Sequence, residues 1–261
     1  MIPILSAEQR PGQDAGLFSQ FLAVVKHAHR VAGISNSASS EFAGFANMLA
    51  AQGISGPVVH EVEIAGDVGL VTTPMPEPPR GRPVILAVGR REPHKNIAVV
   101  LQAAEFLWAE GADFELVMLG AHGWDMSAID RTIARLLAKN RPVRTLGWVT
   151  DEQMWAQFRE ATFTVFVSLH EGYGLPIAES LANGTPVLTT DYGSQRELGE
   201  RGGCLLVDPR DPAAVADGMR RLLNDPELLV KLRLEIAQRP LRRWDDYARD
   251  AWAFLVKGQH A

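Results

Sequence analysis

Beyond residue 83 the chain alternates short apolar runs with longer stretches of helical spacing, and few folds accept that rhythm. Runs rich in β-formers at Val84–Val88, Phe114–Leu119, Val143–Leu146, Ala161–Ser168, Pro186–Thr190 and Cys204–Val207 read as buried strands. Helical spacing is expected at Asn96–Glu110, Met126–Ala138, Asp151–Arg159, Pro176–Asn183, Pro212–Leu223 and Pro226–Ala237. Parallel strands need crossover helices, and those helices cover both faces of the sheet. The pattern therefore predicts an α/β fold, a doubly wound parallel sheet with ligands over the strand carboxyl ends.

Just before this repeat, Pro74, Pro76, Pro78, Pro79 and Pro83 crowd together with Gly81. Proline neither donates to a ladder nor continues a helix, so the segment reads as a linker between domains. Upstream, Met1–Leu5 reads as a strand joined partway and Leu17–Arg30 as a helix. A short strand over Val31–Ser35, a helix capped by Ser37 or Ser39 and running to Gln52, and a strand over Pro57–Val62 follow. The expected division is a partial α/β domain over 1–75, a ligand-binding domain over 76–241, and a C-terminal helix over 242–261 that crosses back to the first part.

Composition excludes several classes. With 46% hydrophobic and 22% charged residues the 261-residue chain has the balance of a soluble globular protein. A formal net charge of -5 argues against a nucleic-acid partner, which would want a basic surface. Cys204 is the single cysteine, so no disulfide framework and no cysteine-based zinc site is expected. No apolar run approaches the ~18 residues of a membrane helix and no signal-peptide core opens the chain. The expectation is a cytoplasmic protein whose membrane contact, if any, is peripheral.

Two loops at predicted strand tips carry the chemistry. After the run ending at Ser168 comes Glu171-Gly-Tyr-Gly-Leu-Pro-Ile-Ala-Glu179, a glycine loop opening a helix. Gly172 and Gly174 remove two Cβ atoms where the chain turns, and Pro176 suits a first helical turn. The free N–H groups and positive end of such a helix accept a phosphate. Glu171 could orient a sugar hydroxyl or face developing positive charge, and Glu179 could accept hydrogen bonds from a ribose diol. Alternatively Glu171 is a helix-start charge favoured by the dipole, and Glu179 a solvated helix residue. After the first strand, Val88-Gly-Arg-Arg-Glu-Pro-His-Lys-Asn96 sets Arg90 and Lys95 beside a second helix start. The pair could stabilise a pyrophosphate, or the stretch could be a solvated basic loop. His122 and His170 belong to no ligand-spacing pattern, so no metal site is expected.

Ser168-Leu-His-Glu-Gly-Tyr-Gly-Leu-Pro-Ile-Ala-Glu-Ser-Leu-Ala-Asn-Gly-Thr-Pro-Val187 resembles the signature of the retaining family-4 (group 1) glycosyltransferases. That signature reads roughly S-L-x-E-G-F-G-L-P-x-x-E-A-x-A-x-G-x-P-V. Val167 stands where the family usually has proline, and Tyr173 where phenylalanine is commoner. The Gly89–Asn96 loop is similar to the family's G-R-x-x-x-x-K-N or G-T-x-E-P-R-K-N, and Leu146-Gly-Trp-Val149 to its L-G-x-V. Val31–Asn36 is similar to an I-A-V-S element of the first domain, and Trp244 to the tryptophan that opens the last helix.

The resemblance implies a GT-B fold of two Rossmann-like domains and a nucleotide-diphospho-sugar donor, with no metal and no other cofactor. Carried over residue by residue, Glu171 is the catalytic-site carboxylate. Gly89, Arg90, Lys95, Gly172, Tyr173, Gly174 and Leu175 surround the donor phosphates, with Arg90 favoured over Arg91 by its spacing to Lys95. Glu179 takes the ribose, completing an E-x7-E pair, and Gly147, Trp148 and Val149 border the base. Trp148 either stacks on that base or packs its own loop.

The implied reaction moves a sugar, mannose being favoured by the E-P-x-K-N form of the loop, from a GDP- or UDP-sugar to a glycan or lipid-linked acceptor in surface-polysaccharide synthesis. A different class stays open: a catalytically silent nucleotide-sugar binding subunit that needs a partner chain or self-association to complete the first domain. Hydrolysis by Glu171 and Glu179 ranks last, since both lie on one strand–loop–helix unit instead of facing a bond from opposite sides.

Overall fold

The computed structural model describes residues 12–66, 81–121, 123, 127–240 and 242–258, with the side chains of 12–15 excepted. Most of the proline-rich segment, the Met1–Leu5 stretch and His122 lie outside the described residues. The described chain forms two units. Residues 12–66, 170–174 and 242–258 make the first, and 81–169 with 175–240 make the second.

In the first unit, α1 (Gly12–Val25) precedes β1 (Arg30–Gly33), α2 (Asn36–Met48) and β2 (Val58–Glu61). Strands β1 and β2 pair in parallel, with Arg30 opposite Val58 and Gly33 opposite Glu61. The cap of α2 is Ser35, not Ser37 or Ser39; its Oγ accepts from the Ala38 amide at 3.0 Å. Ser35 lies in extended backbone while Asn36 is already helical, which is the geometry a capping hydroxyl requires. Gly33 lets α2 close on the strand: a Cβ there would sit 2.2 Å from Ser39 Oγ. The C-terminal segment, α10 (Trp244–Trp252) and a wide turn over Ala253–Lys257, belongs to this unit. Arg242 Nε donates to the Glu63 carbonyl at 2.7 Å, and the ring of Phe254, 1% exposed, lies tilted 5.1 Å from that of His60.

The second unit is a sheet of six parallel strands. They are β3 (Val84–Val88), β4 (Glu115–Leu119), β5 (Val143–Leu146), β6 (Phe163–Phe166), β7 (Val187–Thr190) and β8 (Cys204–Val207). Their order is β5-β4-β3-β6-β7-β8. Between them run α3 (Ile97–Ala109), α4 (Ser127–Ala138), α5 (Asp151–Glu160), α6 (Leu175–Ala182) and α7 (Gly193–Gly199), followed by α8 (Pro212–Asn224) and α9 (Pro226–Ala237). This is the α/β parallel sheet the sequence pattern implies. Short α7 is an addition to the expected helices.

Both faces of the sheet are covered. Ile85 and Ala87 of β3 join Leu116, Phe163 and Leu188 in one cluster with Val100, Leu101, Ala104, Val215 and Met219 of α3 and α8. Leu86, Val117 and Leu119 point the other way, onto Phe158 and Ala161. Alternate residues of one strand thus enter different cores, as a period of two demands.

The sheet winds outward from β3 to β5, returns to β6, and continues to β8. The order reverses between β3 and β6, and a doubly wound sheet opens its binding crevice at such a point. Both loops singled out in the sequence leave these two strands. Strand β6 is shorter than its apolar run, because Val167, Ser168 and Leu169 run past the last ladder pair.

Candidate functional site

The loop after β3 is built by glycine at one end and asparagine at the other. Gly89 has φ +134 and Gly120, at the tip of β4, φ +146. The two backbones are so close that a Cβ on Gly120 would lie 2.2 Å from the Gly89 carbonyl oxygen. Past Gly89, a single 3-10 turn over Pro93–Lys95 precedes α3. Asn96 ends that turn in the left-handed region (φ 58), which asparagine tolerates better than most side chains. Its Nδ2 donates to the Val167 carbonyl at 3.1 Å and the Pro209 carbonyl at 2.7 Å. The His94 carbonyl accepts from the Leu169 amide at 2.8 Å. Loop β3–α3 is therefore laced to the end of β6.

Three cations leave this loop in different environments. Arg91 is buried and pairs with Asp130 of α4 at 3.3 Å. Arg90 is solvent-facing, 66% exposed, and pairs with Glu92 at 3.3 Å. Lys95 is half-buried with Nζ 5.0 Å over the Phe166 ring, at the carboxyl end of β6. Of the three, Arg90 and Lys95 keep solvent exposure and Arg91 does not.

Beyond β6 the backbone is pinned from the far side by residues that sequence reasoning passed over. The Ser168 carbonyl accepts from Thr190 Oγ1 at 2.9 Å and Gln195 Nε2 at 2.8 Å, and the Leu169 carbonyl from the Tyr192 hydroxyl at 2.7 Å. Thr189 Oγ1 donates to the Phe166 carbonyl at 2.7 Å. Polar residues packed at one strand end were the available signal; their targets were not, since they are carbonyls more than twenty residues away.

Helix α6 is fixed to β6 by Ser180, whose Oγ lies 2.8 Å from Thr164 Oγ1 and donates to the Thr185 carbonyl at 2.9 Å. Glu179, beside it, is half-buried and is not a solvated helix residue. Burial pushes its carboxyl above the usual carboxylate range, and Asp151 at the start of α5 adds to the rise; Lys95 opposes it. Lys95 and the start of α5 thus both act on the charge of Glu179. Just before α5, Val149 packs onto the core while Trp148 stands 93% exposed. Trp148 does not pack its own loop. It projects an aromatic face from the strand-tip end.

The glycine loop itself, residues 170–174, belongs to the first unit. Tyr173 is buried and Glu171 half-buried. The two glycines differ. Gly174 has φ +111, where a side chain is strained, whereas a Cβ on Gly172 would only touch Ile34 at 3.6 Å. Gly174→Ala is expected to cost ~1–3 kcal/mol of stability. Gly172→Ala should melt like the parent, because nothing in the folded chain needs that space. If a phosphate approaches the Gly172 backbone, Gly172→Ala will nonetheless weaken nucleotide binding at least about tenfold, on the scale of a lost charge-assisted hydrogen bond. Paired melting and calorimetry separate the two effects.

Among the described residues, no group of three or more His, Cys, Asp or Glu side chains could hold a metal ion. None of the described helices is long and apolar enough to cross a membrane.

Six parallel strands whose order reverses between β3 and β6 define a Rossmann-like sheet, a fold that takes its ligands over the strand carboxyl ends at such a point. The chain belongs to the glycosyl transferases group 1 family, whose sequence model matches residues 74–239. The O-antigen chain mannosyltransferase B of Escherichia coli is 33% identical over 142 residues, 54% of this chain and 36% of that protein. A D-inositol 3-phosphate glycosyltransferase of Corynebacterium urealyticum is 32% identical over 178 residues, 66% of this chain and 42% of that protein. The chain thus spans well under half the length of either relative. Among solved structures, a sucrose-phosphate synthase from Thermosynechococcus elongatus superposes with a TM-score of 0.68 at 23% identity. The match covers 93% of this chain and 60% of that one, and at this identity it speaks for the fold alone.

Proposed function

We propose that the second unit is the donor-binding half of a retaining glycosyltransferase that takes a nucleotide-diphospho sugar. The observation that carries this reading is that Lys95, its Nζ 5.0 Å over Phe166 at the end of β6, and half-buried Glu179 of α6 lie on the elements that leave the β3–β6 switch point. A cation there suits a diphosphate, and a carboxylate acceptor suits a ribose diol. Arg90 faces solvent beside them and can add charge to the leaving diphosphate. The N-terminus of α6, with Leu175 exposed at its first position, supplies backbone donors. Gly147, Trp148 and Val149 border the base.

In the reaction the bond between the anomeric carbon and the diphosphate oxygen breaks, the acceptor oxygen bonds to that carbon on the same face, and the acceptor's proton leaves with the nucleoside diphosphate. Negative charge grows on the diphosphate, so fixed cations and backbone dipoles aimed at it lower the barrier. Glu171 orients the donor sugar. The E-P-x-K-N loop and the mannosyltransferase relatives support mannose from GDP-mannose. A glycan or lipid-linked acceptor, held at the inner face of a membrane, fits the surface-polysaccharide setting of those relatives. No metal is required in this scheme.

The chain is expected to bind a nucleoside diphosphate, since Gly89, Arg90, Lys95, Leu175 and Glu179 all belong to one unit. Calorimetry with GDP, UDP and ADP tests this. Folded protein giving no heat with any of the three at millimolar concentration would overturn the proposal.

A further inference from the structure

Glu171 has a clamped residue on each side. On one side, His170 Nε2 lies 2.7 Å from Glu41 Oε1, and both side chains are only about one-fifth exposed, at 22% and 21%. On the other, the Gly172 carbonyl accepts from Ser35 Oγ at 2.7 Å. Ser35 caps α2 and Glu41 lies within it, and all four residues belong to the first unit.

Ser35 is 2% exposed, and its single hydroxyl does two jobs: it accepts from the Ala38 amide and donates to Gly172. The proton and a lone pair of one oxygen thus join the helix cap to the glycine loop. Ile34, next to it, comes within ordinary contact distance of the space beside Gly172. Nearly two helical turns further on, Glu41 reaches the His170 ring. Burial raises the Glu41 carboxyl, but the hydrogen bond to His170 leads a set of opposing effects that leave it below the usual range. An ionised carboxylate only accepts, so Nε2 of His170 carries the donated proton. A side-chain bond at 170 and a bond to the carbonyl of 172 tether the chain on both sides of residue 171.

We propose that Ser35 and Glu41 are positioning residues, which hold the His170–Gly172 segment so that Glu171 presents its carboxylate to the donor sugar in one orientation. The inference rests on the donor-site reading above. It adds that recognition of the sugar, as opposed to the nucleotide, depends on two residues outside both glycine loops. In this reading Lys95 and Glu179 hold the phosphates and ribose while Glu171 meets the sugar, so a loss of positioning at Glu171 falls chiefly on the sugar moiety.

The test uses the full chain with GDP and GDP-mannose, and with UDP and UDP-glucose in parallel. Glu41→Ala is expected to raise the Kd of the preferred nucleotide sugar at least about fivefold, leaving the matching nucleoside diphosphate within about twofold. Glu41→Gln keeps an oxygen facing Nε2 and should recover most of the loss, which a merely structural role would not require. Hydrogen exchange over residues 168–176 supplies a ligand-free readout. Exchange there should quicken in Glu41→Ala and in Ser35→Ala, with β3 and β6 unchanged. Equal shifts in both affinities, or loop exchange identical to the parent in both variants, would overturn the proposal. A parent chain binding none of the four ligands would overturn the donor-site reading instead, and exchange would still decide whether α2 holds the loop.

Discussion

Replacing Lys95 by alanine is expected to weaken nucleoside diphosphate binding by about ten- to a hundredfold, while affinity for the bare nucleoside stays within about twofold. The estimate is that of a charge-assisted contact to phosphate, ~1.5–3 kcal/mol. Lys95 also sits over the Phe166 ring, a cation–π contact worth ~0.5–1 kcal/mol at such a half-open site. A small loss of melting temperature is therefore expected as well, too small to explain the affinity change. Glu179→Gln should behave differently and weaken nucleoside and diphosphate alike. Its carboxyl is held above the ordinary range, chiefly by burial, so ionisation destabilises the folded chain as pH rises through that raised value. Glu179→Gln removes this penalty. The variant should melt higher than the parent near pH 8 and like it near pH 4, whatever it loses in ribose binding. Equal loss of both ligands in the Lys95 variant would show that the lysine is not a phosphate contact.

Gly120→Ala should be among the most damaging single-methyl changes in the second unit. The new Cβ would stand 2.2 Å from the Gly89 oxygen and 2.6 Å from its carbonyl carbon, at a φ of +146 that side chains rarely adopt. Neither atom is the far end of a flexible side chain, so the tips of β3 and β4 must separate. A cost of about 3 kcal/mol or more is expected, which for a chain of this size lowers the melting temperature by ~6–12 °C. Gly111→Ala is the control. Its φ is +92, but no atom lies within 4 Å of the added methyl, so only the backbone strain remains. Nucleoside diphosphate affinity should fall in the Gly120 variant and not in the Gly111 one, because the displaced backbone is that of the Gly89 turn. Similar melting curves for the two variants would contradict the close-approach argument.

Much of this was legible in the amino-acid order because it depends on local chemistry. Alternating β-rich runs and helical spacing specify the element sequence, since burial on two faces and crossover connection are nearest-neighbour demands. The glycine loops were readable for the same reason. Gly174 and Gly89 adopt positive φ, which composition alone can announce. Other features were open in the sequence because they depend on what arrives from elsewhere. Arg90 and Arg91 are adjacent and chemically identical, yet Arg91 is buried and pairs with Asp130, thirty-nine positions away, while Arg90 faces solvent. Glu179 was open between a ribose-facing carboxylate and a solvated helix residue, and its burial removes the second reading. Trp148 offered two readings, and its 93% exposure removes the one in which it packs its own loop.

The division has a physical cause. Propensity, capping and turn chemistry act over a few residues, so the sequence by itself determined which segments are strands, which are helices, and where glycine must stand. The strand order that reverses between β3 and β6 was decided only by tertiary packing, since any of several orders would bury the same apolar runs. So was the hold that Ser35 and Glu41 exert on the loop around Glu171. Those hydrogen bonds join residues more than a hundred positions apart, and no local signal in either segment names its partner.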